Sequence, residues 1–246
     1  VYKRQPSTWR LLLESGWDGV AGLKVLCGGE VLPRDLAEQI LSLGMDEWNI
    51  YGPTETTIWS SAERVASRDG PVAIGRPRGN TQLYVLDGDQ ALLPSGVVGE
   101  LYIGGHGLAR GYLNRPELTA ERFVANPFQA GERLYRTGDL ARYRANGSLE
   151  VIGRTDHQVK VRGYRIELGE IEAELLSHPT VSDAVVIVRE DKAGDKRIVA
   201  YVIASEEAPV DSVELRGHLQ QGIPDYMVPT AYVALASFPL TPNGKN

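Results

Sequence analysis

Apolar positions recur at helical spacing in two early stretches. Over residues 9–15 a tryptophan and several leucines share a face, and over residues 33–43 Leu36, Ile40 and Leu43 do the same. Pro33 suits the first turn of the second helix, where a missing N–H costs nothing. Between them, Lys24 opens a short apolar run through Val25, Leu26 and Cys27 that stops at Gly28 and Gly29, the pattern of a buried strand meeting a loop. Asn49, Ile50 and Tyr51 lead into a turn at Gly52, Pro53, Thr54 and Glu55. Beyond it, short β-type runs at 82–86, 100–103 and 148–152 predominate. The predicted body is mixed α/β, with a strand-rich later part.

After Gly153, Arg154, Thr155 and Asp156 the pattern changes. A strand pair at 159–166 precedes a capped amphipathic helix at 168–177, followed by strands at 184–188 and 198–203, a helix at 213–220 and a strand at 231–236. Asp211 or Ser212 is the candidate N-cap of the second helix. This is an α+β unit of roughly 90 residues, whose two helices should cover one sheet face. The domains read as 6–155 and 156–246. Val1, Tyr2, Lys3, Arg4 and Gln5 do not lead into the next segment as a strand or helix would. They back-translate as GTG TAT AAG AGA CAG, which resembles a transposon-end adapter, and are set aside as a sequencing artefact.

With 246 residues, 42% of them apolar and 24% charged, the chain can bury one large core or two smaller ones. A net charge of -6 argues against nucleic acid or an anionic membrane as partner and points to a small molecule or a protein. The single cysteine, Cys27, can form neither an internal disulfide nor a zinc site and reads as a small buried hydrophobe. No apolar run approaches the roughly 20 residues that span a bilayer, so a cytoplasmic, reducing setting is expected. His106, His157, His178 and His218 are scattered and read as surface or packing residues.

Several segments in order carry the chemistry: the Gly28, Gly29, Glu30 loop, NIYGPTETT, GELYIGGHGLARGYLNRPELTAERF, YRTGDL, GRTDHQVKVRGYRIELGEIE and the final TPNGK. Together they resemble the adenylation domain of nonribosomal peptide synthetases, within the adenylate-forming (ANL) superfamily, over its carboxy-terminal half. The resemblance implies the end of a large α/β core domain followed by a small, mobile α+β domain. It implies activation of an amino acid by ATP and Mg2+ to an aminoacyl adenylate, then transfer to the phosphopantetheine thiol of a peptidyl carrier domain. A condensation domain is expected in the parent chain. The family's Gly/Ser/Thr-rich phosphate loop and the carrier's modified serine are not in this sequence, so the chain alone is expected to be inactive.

Attack of a carboxylate on the α-phosphate gathers negative charge, which calls for a pre-positioned metal and cation. The Thr54 hydroxyl suits phosphate and Glu55 offers a hard oxygen to magnesium. The resemblance lays Tyr51 along adenine and puts Gly29, Glu30, Asn49 and Gly52 in the same nucleotide site. Asp139 can accept from both ribose hydroxyls. By resemblance Arg154 helps to hold ribose and phosphate, Asp156 is the hinge, and Lys245 is the catalytic lysine bridging substrate carboxylate and α-phosphate. Gly163 and its hairpin line the pantetheine passage by the same resemblance. Leu26, Gly28, Ile50, Ile58 and Trp59 correspond to side-chain pocket positions. Their bulk predicts a small substrate, glycine first and cysteine next. Alternatives are an acyl-CoA ligase, a D-alanine-activating enzyme, or a non-catalytic scaffold, which has no need of Glu55, Asp139 and Lys245.

Overall fold

The computed structural model describes residues 1–66, 70–156, 158–161, 163–191, 196–205 and 211–238. The chain divides into Val1–Asp156 and His157–Asn246. In the first unit, β1 (Tyr2–Arg4), α1 (Pro6–Glu14), β2 (Lys24–Gly28), α2 (Arg34–Ser42), β3 (Asp46–Tyr51), a 3-10 turn (Thr54–Thr56), β4 (Ser61–Arg64) and β5 (Arg76–Pro77) follow in order. The strands make one sheet in sequence order, with β1, β2 and β3 parallel and β4 and β5 antiparallel to their neighbours. Trp9, Leu36 and Ile40 from the two helices pack on Val25 and Cys27 of β2. This is the predicted strand, glycine loop and helix.

The opening residues form a strand, where the sequence pattern predicts neither strand nor helix. Tyr2, Lys3 and Arg4 pair in register with Val25, Leu26 and Cys27, and the Gln5 carbonyl accepts the N–H groups of Thr8 and Trp9 at the start of α1. An edge strand is held by backbone pairing alone, so its exposed polar side chains leave no periodic trace.

The second sheet comprises β6 (Thr81–Leu86), β7 (Gly99–Gly105), β8 (Phe123–Ala125), β9 (Arg133–Tyr143) and β10 (Leu149–Arg154), with α3 (Pro116–Arg122) leading into β8. Its order is β10-β9-β7-β6, with β8 also on β9. Val85, Leu101, Ile103, Ala141 and Leu149 form its core. The eleven-residue β9 is absent from the elements that the sequence pattern predicts, because its buried positions run consecutively instead of alternating.

In the second unit, β11 (Gln158–Val161) and β12 (Tyr164–Glu167) form a hairpin, then α4 (Leu168–Leu176), β13 (Val181–Glu190), β14 (Lys196–Ala204), α5 (Ser212–Gly222), a 3-10 turn (Asp225–Met227) and β15 (Ala231–Leu235) follow. Ala184 and Val186 face Val202 and Ala200 across the β13–β14 ladder, and Ile171, Leu175, Leu215 and Leu219 of the two helices join them in one core. Asp211 caps α5 through Val213 N–H at 2.8 Å. The expected cap of α4 takes a different form, since Glu167 stands at its N-cap without a side-chain cap bond.

One buried group in the first unit carries a stability prediction. Glu47 on β3 is fully buried, accepts only the weak Cys27 Sγ–H at 3.7 Å, and its second oxygen has no partner among the described residues. Burial pushes its pKa from 4.5 up to about 8, and burial likewise raises the Cys27 thiol far out of the nucleophilic range. The carboxyl is therefore neutral in the folded state. Its contribution is fully present below pH 4.5 and is lost as pH rises towards 8. Glu47→Gln should gain stability over the natural chain as pH climbs, by about 3 kcal/mol at pH 7 relative to pH 4.5. Urea unfolding of both at several pH values checks this, and a pH-independent difference would contradict it.

Candidate functional site

Two arms of the first unit build the site: the turn that follows β3, and the paired strands β9 and β10. The turn doubles back sharply. Ser60 N–H donates to the Tyr51 carbonyl at 2.8 Å, and a Cβ on Gly52 would lie 2.3 Å from the Ile58 carbonyl oxygen, so only glycine fits there. Thr57 and Ile58 both hold left-handed backbone, at φ 61° and 71°. For β-branched residues this stores about 1–3 kcal/mol each, a strain found chiefly where function requires it. A Thr56 to Ser60 hydroxyl bond of 2.6 Å helps to maintain it.

Register places the second arm. Arg154 of β10 lies opposite Asp139 of β9, and its guanidinium donates to Asp139 Oδ1 at 2.6 Å. The same guanidinium grips both oxygens of Asp156, at 2.7 and 2.9 Å, and the Thr137 carbonyl at 3.2 Å. The Tyr51 hydroxyl donates to the other oxygen of Asp139. Burial, then the Asp139 charge, push the Tyr51 phenol well above its ordinary range, so it stays a donor. Tyr51, Asp139, Arg154 and Asp156 thus form one connected group, drawn from residues that the sequence singles out. Among the described residues, two of the roughly four acceptor positions of Asp139 are occupied, leaving capacity for a ligand.

Glu55 is 8% exposed, and Tyr112 donates its hydroxyl to Glu55 Oε1 at 2.7 Å. Sequence reasoning misses Tyr112, although it sits inside the GELYIGGHGLARGYLNRPELTAERF segment, because nothing local pairs it with a residue 57 positions earlier. Thr54 is exposed at the start of the 3-10 turn.

Other nominated residues take structural partners. Glu30 accepts the Ser7 N–H at 3.1 Å in the first turn of α1, and Asn49, buried, donates to the Ala73 carbonyl at 2.8 Å. Gly29 adopts φ 93° in the β2–α2 loop. Leu26 and Gly28 alternate on one side of β2, opposite the side that buries Cys27 in the core. Gly28 is in register with Ile50, and a Cβ on Gly28 would come within 2.5 Å of Ile50 Cγ1. Ile58 and Trp59 are 58% and 44% exposed. In the second unit, Gly163 holds φ 80° at the hairpin turn. Lys245 lies outside the described residues, as does His157.

Matches to the AMP-binding enzyme family cover residues 4–113, and matches to the AMP-binding enzyme C-terminal domain cover residues 170–245. The chain belongs to the AMP-binding enzyme family. Its fold is part of the adenylate-forming fold, as the motif resemblance implies. It is 54% identical over its whole length to a dimodular nonribosomal peptide synthase of Bacillus subtilis (strain 168), of which it spans 10%. Among solved structures, it is 50% identical to a four-domain nonribosomal peptide synthetase bound to AMP and glycine, covering 99% of this chain and 18% of that one, with a TM-score of 0.60. It also aligns with a synthetase protein containing adenylation and carrier domains, at TM-score 0.86 and 30% identity, over 99% of this chain and 42% of that one. The relatives confirm the synthetase adenylation branch of the family. Among the described residues of this AMP-binding chain, no helix is long and apolar enough to cross a membrane.

Proposed function

We propose that the chain supplies the nucleotide-gripping strands and the catalytic lysine of an amino-acid adenylation domain in a nonribosomal peptide synthetase. The observation that carries this reading is the Tyr51, Asp139 and Arg154 group, built by strand register beside the turn that bears Thr54 and Glu55. Asp139, already oriented by two donors, accepts the ribose hydroxyls, and Tyr51 lies along adenine. Arg154 steadies ribose and phosphate while its bidentate hold on Asp156 ties that grip to the hinge.

The donor set fits magnesium. Thr54 and Glu55 are hard oxygen donors on one short turn, and Mg2+ is commonly held by one or two carboxylates together with substrate phosphates. When bound, magnesium would offset the negative charge of the nucleotide phosphates. Glu55 would hold it, and Lys245 would supply a compact cation to the substrate carboxylate and the α-phosphate as they meet.

Glycine is the proposed substrate. The reading rests on the bulk of Ile50, Ile58 and Trp59 at positions that correspond to the family's side-chain pocket, and the similar synthetase structure was solved with glycine. Gly28 faces Ile50 so closely that an added methyl would clash, and Gly28→Ala should move Ile50 and shift the substrate preference. Such pockets discriminate by about 1–3 kcal/mol per methylene. Substrate-dependent pyrophosphate exchange across all the amino acids tests this, and a strong preference for a large aromatic would contradict it.

For the thioester step, the β11–β12 hairpin lines the pantetheine passage. At φ 80° a bulky side chain at Gly163 would strain the turn as well as fill the passage, so Gly163→Asn, which tolerates that backbone, is the cleaner variant. It should leave adenylate formation intact and slow thioester formation about 10-fold, the scale of one lost or obstructed contact. Equal loss of both would refute the split.

A further inference from the structure

Tyr112 is built into the site as firmly as the residues it touches. Its N–H donates to Thr119 Oγ1 at 2.9 Å, its ring meets Phe123 edge-on at 5.7 Å, and its hydroxyl lies 3.4 Å from that of Tyr135. The loop at 105–113 that carries it is fastened from both sides. Arg133 donates to the carbonyls of Ala109 and Arg110, both at 3.1 Å, and stacks over Phe123 at 5.3 Å. Ala109 N–H in turn donates to the Glu55 carbonyl at 2.8 Å, and Thr57 Oγ1 donates to the Gly107 carbonyl at 2.7 Å. The loop therefore grips the backbone and the side chain of Glu55 at once.

We propose that Tyr112 is a positioning residue for the Glu55 carboxylate: its phenol fixes Oε1 and so sets the orientation in which the carboxylate presents its remaining lone pairs to a divalent cation. This rests on the reading of Glu55 as the magnesium carboxylate. A carboxylate free to rotate about its terminal torsion would present a range of orientations to a demanding octahedral ion. Partners that orient a ligand in this way are worth 10- to 100-fold in metal affinity in other sites.

The test uses the intact enzyme carrying this chain, with Mn2+ as the probe and a non-hydrolysable ATP analogue bound. Binding is followed by electron paramagnetic resonance, so no turnover is needed. Tyr112→Phe keeps the ring and its packing and should weaken Mn2+ binding about 10-fold, with the lost exchange rate recovered at high magnesium. Adding Tyr112→Phe to Glu55→Gln should change nothing further, because the two act as one unit. Thr119→Val, which frees the Tyr112 backbone but leaves the phenol, serves as a second variant and should give a smaller loss in the same direction. If Glu55→Gln weakens Mn2+ binding but Tyr112→Phe and Thr119→Val do not, Tyr112 has no positioning role and the inference falls. If Glu55→Gln itself leaves Mn2+ binding unchanged, the magnesium reading of Glu55 fails and takes the inference with it.

Discussion

Lys245→Ala in the intact enzyme is expected to lower amino-acid-dependent pyrophosphate exchange by about 100- to 1,000-fold, the usual consequence of removing one pre-positioned charge from a transition state. The substrate carboxylate and the α-phosphate repel one another as they approach, and a single ammonium between them offsets that repulsion with little geometric demand. The KM for ATP should change far less than kcat if, as proposed, the lysine acts where the new bond forms and first-unit groups such as Asp139 hold the nucleotide. Lys245→Arg should rescue poorly, because a planar guanidinium fork does not replace a compact ammonium charge. Exchange that survives Lys245→Ala unchanged would remove the lysine from the reaction.

The second large effect concerns ATP binding. Asp139→Ala should raise the KM for ATP by about 100- to 10,000-fold while leaving the KM for the amino acid near its natural value. Two hydrogen bonds from ribose to a charged oxygen are worth about 1.5–3 kcal/mol each, and the variant loses both. It also strips Tyr51 of its acceptor and leaves Arg154 with Asp156 and the Thr137 carbonyl. A ribose-specific signature separates the binding role from this local damage. The natural enzyme should prefer ATP strongly over 2′-deoxy-ATP, and Asp139→Asn should lose most of that preference. An Asp139→Asn enzyme that still discriminates fully between the two nucleotides would show that the ribose is held elsewhere.

Elements with a clean period are legible in the amino-acid sequence. The β2 run ending at Gly28, the α2 stripe of Leu36 and Ile40, and the apolar run along β14 all lie close to their expected bounds. Asp139 and Glu55, acidic residues inside glycine-containing motifs, stand out in the sequence too, and both are buried. The rest is hidden for identifiable reasons. The hydrogen bond between Tyr51 and Asp139 spans 88 positions and that between Tyr112 and Glu55 spans 57, distances at which no local pattern survives. Glu30 and Asn49 sit in motifs that suggest nucleotide contacts, yet Glu30 closes the start of α1 and Asn49 satisfies the Ala73 carbonyl. A carboxylate or an amide within a motif reads the same whether it faces a ligand or its own backbone. The opening strand is hidden for the opposite reason, since an exposed edge needs no apolar residues to form.

The decisive measurement is pyrophosphate exchange by the intact adenylation domain, run with each amino acid in turn and in parallel with an Asp139→Ala, Lys245→Ala double variant. Robust exchange with glycine, abolished in the double variant, is the result that a nucleotide clasped by Asp139 and a reaction driven by Lys245 require. Absence of exchange with every amino acid, or exchange that persists without those two side chains, would contradict it.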